Sequence, residues 1–217
     1  MQVVVIFDMD GVIVDNGEFH FLAWKKFCDK HNISISKDEF KNKFFGRTNK
    51  EVLPELIGCD LSGEEIKSLD EEKEKIYREI YKPHMEPVNG LINFLQELKK
   101  NDIPVGIATS APPENVDFVI DGLKIGDYIQ TVVNDSMVAN GKPAPDIYLE
   151  AAHRLNAKPE NCVVFEDSLS GTKAAWDAGA KVVALTTTLP AEKHQHAHSI
   201  VDDFESVSVQ VIKNLFV

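Results

Sequence analysis

Val3-Val4-Val5-Ile6-Phe7 runs straight into Asp8-Met9-Asp10-Gly11, and the reading of that junction decides the fold. Five consecutive β-branched or large apolar residues match a strand buried on both faces, as in a parallel sheet covered by helices. Residues i and i+2 of an extended strand point the same way, so Asp8 and Asp10 face one site if the extended geometry persists. Such a site sits at the carboxyl end of a strand, where open α/β sheets bind ligands. Gly11 lets the backbone turn immediately afterwards. Asp and Gly are also ordinary turn residues, so the pair takes a chemical meaning only from the rest of the chain.

Three more runs repeat the pattern: Ile103–Thr109, Cys162–Phe165 and Lys181–Leu185. Between them lie apolar stripes at helical spacing, Leu91-Ile92 with Leu95 and Leu98, and Ile147-Tyr148 with Ala151-Ala152 and Leu155. Strand–helix alternation of this kind predicts an α/β fold with a doubly wound parallel sheet. One stretch breaks it. From about residue 15 to 83 there is no convincing strand. Phe19, Leu22-Ala23 and Phe27 repeat at helical spacing, and Asp70–Tyr81 reads as a charged, solvated helix. A βαβ crossover does not need so many residues. The expected organisation is therefore a core of residues 1–14 plus 84–217, with residues 15–83 inserted as a helical unit that ends near Lys82-Pro83-His84, where proline breaks the helix.

The 217 residues are 43% hydrophobic and 27% charged, with a net charge of −12. That charge argues against a nucleic-acid partner, because phosphate-backbone binders present a basic surface. No apolar run approaches the ~20 residues of a membrane span, and no basic segment precedes the first apolar run as in a signal peptide. Cys28, Cys59 and Cys162 are odd in number and far apart, which suits reduced thiols. The expectation is a cytoplasmic monomer that binds neither nucleic acid nor membrane.

Further polar groups recur at predicted strand and helix edges. Thr109-Ser110 follows Ile107-Ala108. Gly141-Lys142-Pro143 places a cation ahead of a helix that Pro145 can start. Glu166-Asp167-Ser168 ends Val163-Val164-Phe165. Each has a plain structural reading as a cap or a solvated charge, but all of them in this order are hard to ascribe to capping.

Asp8-Met9-Asp10-Gly11-Val12, Thr109, Lys142 and Glu166-Asp167 together resemble the four motifs of the haloacid dehalogenase superfamily. The inserted helical unit resembles that family's cap domain, and the rest its Rossmann-like core. Glu18-Phe19-His20 with Trp24, Lys142-Pro143-Ala144-Pro145-Asp146, and Glu166-Asp167-Ser168 with Gly171 are similar to the β-phosphoglucomutase-like branch. The resemblance implies a Mg²⁺-dependent phosphohydrolase acting on a small phosphorylated metabolite, such as a sugar phosphate. Asp8 would attack phosphorus and form an aspartyl-phosphate, and Asp10 would serve as acid and then base. Oxygen ligands suit Mg²⁺: the Asp8 and Asp167 carboxylates and the Asp10 carbonyl, with Glu166 in contact or one layer out. Thr109, Ser110, Ala111 and Lys142 would hold the phosphoryl oxygens. Pro112 and Pro113 lack N–H groups and cannot contribute.

In the cap, the resemblance suggests that His20 couples closure to Asp10, the alternative being a buried histidine bonded to a backbone carbonyl. Cap closure over substrate would follow hinges at Asp15–Gly17 and Lys82–Pro87. Phe44-Phe45-Gly46-Arg47-Thr48 is a candidate substrate-reading loop, and Arg47 reads either as a phosphate or sugar ligand or as a surface charge. β-Phosphoglucomutases carry a lysine before the loop glycine and an arginine three residues after it; the aligned positions here are Phe45 and Asn49. Each lost charge-assisted bond costs ~1.5–3 kcal/mol of grip on a bisphosphate, which favours hydrolysis over the mutase alternative. A non-catalytic phosphate-binding regulator would not need Asp8, Asp10, Lys142 and Asp167 together. His194-x-His196-x-His198 lacks the i, i+4 spacing of a helical metal site and is expected to be a surface loop.

Overall fold

The opening apolar run forms β1 (Val4–Phe7), buried at every position. The computed structural model describes residues 2–44 and 47–216, so Phe45 and Gly46 lie outside the described residues. After β1 come α1 (Gly17–Lys30), a single turn α2 (Lys37–Glu39), α3 (Asn49–Ile57), α4 (Gly63–Tyr81) and α5 (Leu91–Lys100). Strands and helices then alternate through β2 (Val105–Thr109), α6 (Pro113–Leu123), β3 (Thr131–Asn134), α7 (Asp146–Arg154) and β4 (Cys162–Glu166). The chain ends with α8 (Leu169–Asp177), β5 (Lys181–Leu185), β6 (Ser199–Val201) and α9 (Val209–Lys213). Two compact units result, one of residues up to Asp15 together with those from Glu86 onward, the other Asn16–Met85. The helical unit extends slightly past the expected exit, because Lys82–His84 continues α4 as a 3-10 turn.

In the first unit all six strands run parallel, in the order β3-β2-β1-β4-β5-β6. Successive strands move outward from β1 through β2 to β3, and the chain then returns to place β4 on the other side of β1. The direction of winding reverses between β1 and β4, so their carboxyl ends open a crevice, the place where such sheets bind ligands. Phe7 stands level with Ile107 on β2 and Phe165 on β4.

The two faces of the sheet are filled differently, as the period of two requires. On one, Phe7 stacks on Phe165 with centroids 5.2 Å apart, and Phe94 of α5 and Phe204 close the cluster. On the other, Val4, Ile6, Val164 and Val182 pack beneath Ile147, Tyr148, Ala151 and Ala152 of α7 and Ala174 and Ala175 of α8. The small residues let the helices approach the sheet closely. Strands β3 and β6 were not expected from the sequence. Both are short edge strands, only part-buried, without a long apolar run to mark them.

The helical unit pairs α1 with α4. The buried face of α1 is Ala23, Trp24, Phe27 and Cys28, whereas Leu22, expected on the apolar stripe, is exposed. Trp24, which the resemblance places among the cap residues, is a core side chain packed edge-on against Phe27. The expectation of a solvated α4 also fails: Lys73, Glu74, Ile76, Tyr77 and Tyr81 are buried. Lys73, 1% exposed, sets its Nζ 2.7 Å from Glu74 Oε1 and 3.0 Å from His20 Nδ1, above the Trp24 ring. His20 itself stacks on Tyr77 with centroids 4.0 Å apart. The environment of His20 is thus aromatic on one face with an ammonium at Nδ1.

Among the described residues no helix is long and apolar enough to cross a membrane. Cys28, Cys59 and Cys162 are free thiols. The histidine loop is not simply a surface loop: His194 is buried, while His198 accepts the Val182 N–H at Nδ1 and donates its own N–H to the Val182 carbonyl.

Lys73→Ala removes the counter-charge of the buried Glu74 carboxylate and is expected to cost about 3 kcal/mol in urea unfolding of the full chain. Lys67→Ala on the same helix removes a pair that is 3.9 Å apart with the lysine side chain 78% exposed, and should change stability by less than about 0.5 kcal/mol. Equal effects would mean that Lys73 carries no compensating charge.

Candidate active site

The ladder of β1 continues one residue past the strand, because the Asp8 N–H donates to the Phe165 carbonyl at 2.9 Å. Asp8 therefore still points as a strand residue would. Beyond it the chain closes a tight loop: the Ile13 N–H donates to the Met9 carbonyl at 2.8 Å and the Gly11 N–H to the Val14 carbonyl at 2.7 Å. Gly11 takes φ +78°, and a Cβ there would lie 1.9 Å from Asp167 Oδ2. Glycine is required twice over, by conformation and by space. The Gly11 carbonyl is held from the far side by the Thr187 hydroxyl.

Glu166 ends β4 fully buried, and its carboxylate is saturated. Oε1 accepts from Lys142 Nζ at 2.7 Å and the Tyr148 hydroxyl at 3.0 Å; Oε2 accepts from the Asp167 N–H, the Ser168 N–H and the Ser168 hydroxyl at 2.8, 2.8 and 3.0 Å. Five donors on about four lone-pair sites leave no vacant direction. Gly171 makes the space, since a Cβ there would lie 1.6 Å from Oε1. Ser168 also caps α8, accepting the Gly171 N–H at 3.0 Å.

Lys142 spans the gap between strands. Its Nζ lies 2.7 Å from Glu166 Oε1 and 3.0 Å from Asp8 Oδ1 and donates to the Ala108 carbonyl at 3.3 Å. The contact with Asp8 is an ion pair off the hydrogen-bonding direction, so Asp8 Oδ1 is buried without a donor in line with it. Oxygens of Asp8, Glu166 and Asp167 lie within 4.8 Å of one another, and one ammonium cannot offset three carboxylates. Hard oxygen donors and a buried, under-satisfied carboxylate oxygen suit Mg²⁺. With Glu166 saturated, the Asp8 and Asp167 carboxylates are the ones with room for it.

The charges set the acidities. Burial, opposed by Lys142 and reinforced by Glu166 and Asp10, pushes Asp8 up to about 7. Burial, Glu166 and Asp8 raise Asp167 well above the carboxylate range, against a hydrogen bond from Thr188. Burial works the same way on Glu166, but Lys142 and the Ser168 donors outweigh it and hold Glu166 below its ordinary value. Burial alone would lower Lys142, yet Asp8 and Glu166 raise it well above the lysine range.

Of the other expected residues, Asp10 is half-buried on the same loop, close enough for its charge to act on Asp8. Thr109 is buried at the end of β2, and its Oγ1 accepts the Ala111 N–H at 3.1 Å. The Ser110 hydroxyl donates to Asp135 Oδ1 at 3.2 Å. In the helical unit Arg47 is exposed and bonded within its own segment, to the Lys43 carbonyl at 3.0 Å and Glu55 Oε2 at 2.9 Å. Asn49 is anchored to α4, donating to Asp70 Oδ1 and, at 2.6 Å, to Glu74 Oε1. Tyr148, Thr187 and Thr188 were missed. Tyr148 sits on an apolar helical stripe, and its only sequence signal is a hydroxyl where a purely apolar side chain would suffice.

Metal-free protein should lose stability as pH rises. The folded-state pKa values of Asp8 and Asp167 lie above their unfolded ones, so the folded state holds protons more tightly and gives them up at a cost. For Asp8 the window runs from 3.8 to about 7. In chelator the melting temperature should fall across that window, Mg²⁺ should restore it most at about pH 7.5, and Asp8→Asn should flatten the metal-free decline. A metal-free melting temperature that rose with pH in wild type and not in Asp8→Asn would contradict the assigned charges.

A family model for haloacid dehalogenase-like hydrolases matches residues 5–185. The phosphorylated carbohydrates phosphatase of Thermotoga maritima is 34% identical over 179 residues, covering 81% of each chain. The β-phosphoglucomutase of Bacillus subtilis is 31% identical over 190 residues, 83% of this chain and 82% of its own. Among solved structures, a family IA, variant 3 hydrolase of this type from Entamoeba histolytica superposes with a TM-score of 0.90 at 30% identity over 99% of both chains. A strand-end carboxylate on a parallel sheet, a bridging lysine and a second acidic pair thus meet in a chain that aligns along most of its length with proteins named a phosphatase and a phosphoglucomutase, and the protein belongs to the haloacid dehalogenase-like hydrolase family.

Proposed function

We propose that the chain is a Mg²⁺-dependent phosphohydrolase of small phosphorylated carbohydrates, working through an aspartyl-phosphate on Asp8. The observation that carries this reading is the buried Asp8 carboxylate, with Oδ1 lacking an in-line donor 3.0 Å from the Lys142 ammonium. Asp8 attacks phosphorus while the bond to the leaving oxygen breaks, and Asp10 gives that oxygen its proton. Water then attacks the aspartyl-phosphate, Asp10 takes the proton, and phosphate leaves with Asp8 regenerated. Lys142 offsets charge on the transferring group in a water-poor site. Bound Mg²⁺, held by the Asp8 and Asp167 carboxylates and the Asp10 carbonyl, supplies further neutralisation of that charge. Glu166 fixes Lys142 and the 167–168 backbone without offering an oxygen of its own. Thr109, Ser110 and the Ala111 N–H receive phosphoryl oxygens, with the Ala111 donor turning from Thr109 Oγ1 to the substrate. Residues of the helical unit act as the cap, selecting the leaving group.

Hydrolysis is favoured over mutase chemistry by what occupies the cap positions. Asn49, standing where a mutase carries arginine, has its amide committed to Asp70 and Glu74. Arg47 is held by Glu55, but that exposed pair is worth only about 0.2–1 kcal/mol and can be exchanged for a substrate oxygen. The Thermotoga relative is named for phosphorylated carbohydrates, which supports the substrate class, while the Bacillus relative keeps the mutase reading open to test.

Purified protein is to be given Mg²⁺, β-glucose 1-phosphate and catalytic glucose 1,6-bisphosphate. Phosphate release should exceed glucose 6-phosphate formation. Rapid isomerisation with little phosphate would establish the mutase instead. Asp8→Asn should bring either activity to background, and substantial Mg²⁺-dependent turnover in that variant would remove Asp8 from the nucleophile's role.

A further inference from the structure

Tyr148 is the buried polar side chain at the site that phosphoryl transfer leaves without a role. It is the third residue of α7, in its first turn, a few residues beyond Lys142, and is 1% exposed. Phenylalanine would fill the same volume, and burying a phenol is costly unless its hydroxyl is bonded. Here the hydroxyl donates to Glu166 Oε1 at 3.0 Å, the same oxygen that Lys142 approaches at 2.7 Å. The Tyr148 ring also lies beside the ammonium, with Nζ 5.2 Å from its centroid.

We propose that Tyr148 is a positioning residue that divides the Lys142 ammonium between Glu166 and Asp8, so setting how much positive charge stands at the phosphoryl-accepting carboxylate. The inference rests on the phosphohydrolase reading for its catalytic consequence, though not for its geometry. Lys142 has two carboxylate partners, and the shorter contact is already to Glu166, 2.7 Å against 3.0 Å for Asp8. Each hydrogen bond Glu166 Oε1 receives from elsewhere reduces its pull on the ammonium. The phenol supplies one, from a ring held in the core because α7 packs on β1, β2 and β3 and Tyr148 belongs to the same buried cluster as Ile6 and Val164. Its face meanwhile gives Nζ a favourable third side. Without the hydroxyl, a fully buried carboxylate oxygen would have Lys142 as its remaining close donor. The ammonium would move toward Glu166, and Asp8 would lose its counter-charge.

Tyr148→Phe keeps the ring and its packing and removes only the donor. In a crystal structure of this variant, Lys142 Nζ should stay on Glu166 and withdraw from Asp8 to more than about 4 Å, outside ion-pair range. With p-nitrophenyl phosphate and Mg²⁺, kcat should fall about tenfold with KM within about twofold, the pattern of an interaction felt in the transition state rather than in substrate binding. An unmoved Lys142 would overturn the proposal. So would a lowered melting temperature with unchanged kcat, which is what a purely structural hydroxyl predicts. If the wild-type protein does not hydrolyse the ester at all, the phosphohydrolase reading fails, and the position of Lys142 still decides the role of Tyr148.

Discussion

Lys142 lies between two carboxylates that are both out of water, and the core unit is arranged around the cost of that placement. Burying a charge is repaid only when geometry is good and the remaining lone pairs are filled. Glu166 meets the condition with five donors. Asp8 does not, and Asp167 stands close by with the same sign. The uneven satisfaction is informative. One carboxylate is locked as a fixed negative support, while its neighbours keep oxygens that only a cation or an incoming electrophile would use. Strained or under-satisfied groups of this sort are expected where chemistry happens and are destabilising elsewhere.

The sheet makes the convergence possible. Asp8 extends β1, and Glu166 and Asp167 end β4; these strands are neighbours in parallel register, and the winding reverses between them. Lys142 and Tyr148 arrive from α7 and the loop before it, while Gly11 and Gly171 stand where any side chain would displace Asp167 or Glu166. Three stretches of sequence, 8–11, 142–148 and 166–171, therefore contribute to one small volume. A substitution at either glycine acts on the carboxylates as directly as a substitution of the carboxylates themselves.

Much of this was legible in the sequence because it depended on local pattern. β1, β4 and β5 are unbroken apolar runs, and the polar residues at their ends could be placed by period and position. What escaped had no local mark. β3 and β6 are short edge strands whose pairing is set by the rest of the sheet. Tyr148 and Lys73 obey the pattern of their helices in opposite ways, one a polar group hidden on an apolar face, the other a charge on what reads as a solvated helix. Burial of Lys73 depends on Glu74, His20 and Trp24, and those partners are distant in sequence or carry no signal of pairing. Helical periodicity predicts which face is turned inward; it cannot predict that two opposite charges will go inward together.

The core cluster also bears on selectivity. Its polar atoms are engaged with one another, with the backbone, or by charge with groups that a phosphoryl oxygen would approach: Lys142 bridges Asp8 and Glu166, Thr109 takes the Ala111 N–H, and Ser110 turns to Asp135. Such groups can recognise a phosphoryl group but give no purchase on what the phosphoryl is attached to. Discrimination among phosphate esters therefore has to come from residues beyond this cluster. Function is set by the site grafted on a fold rather than by the fold, and the chain is similar both to a protein named a phosphorylated carbohydrates phosphatase and to one named a β-phosphoglucomutase.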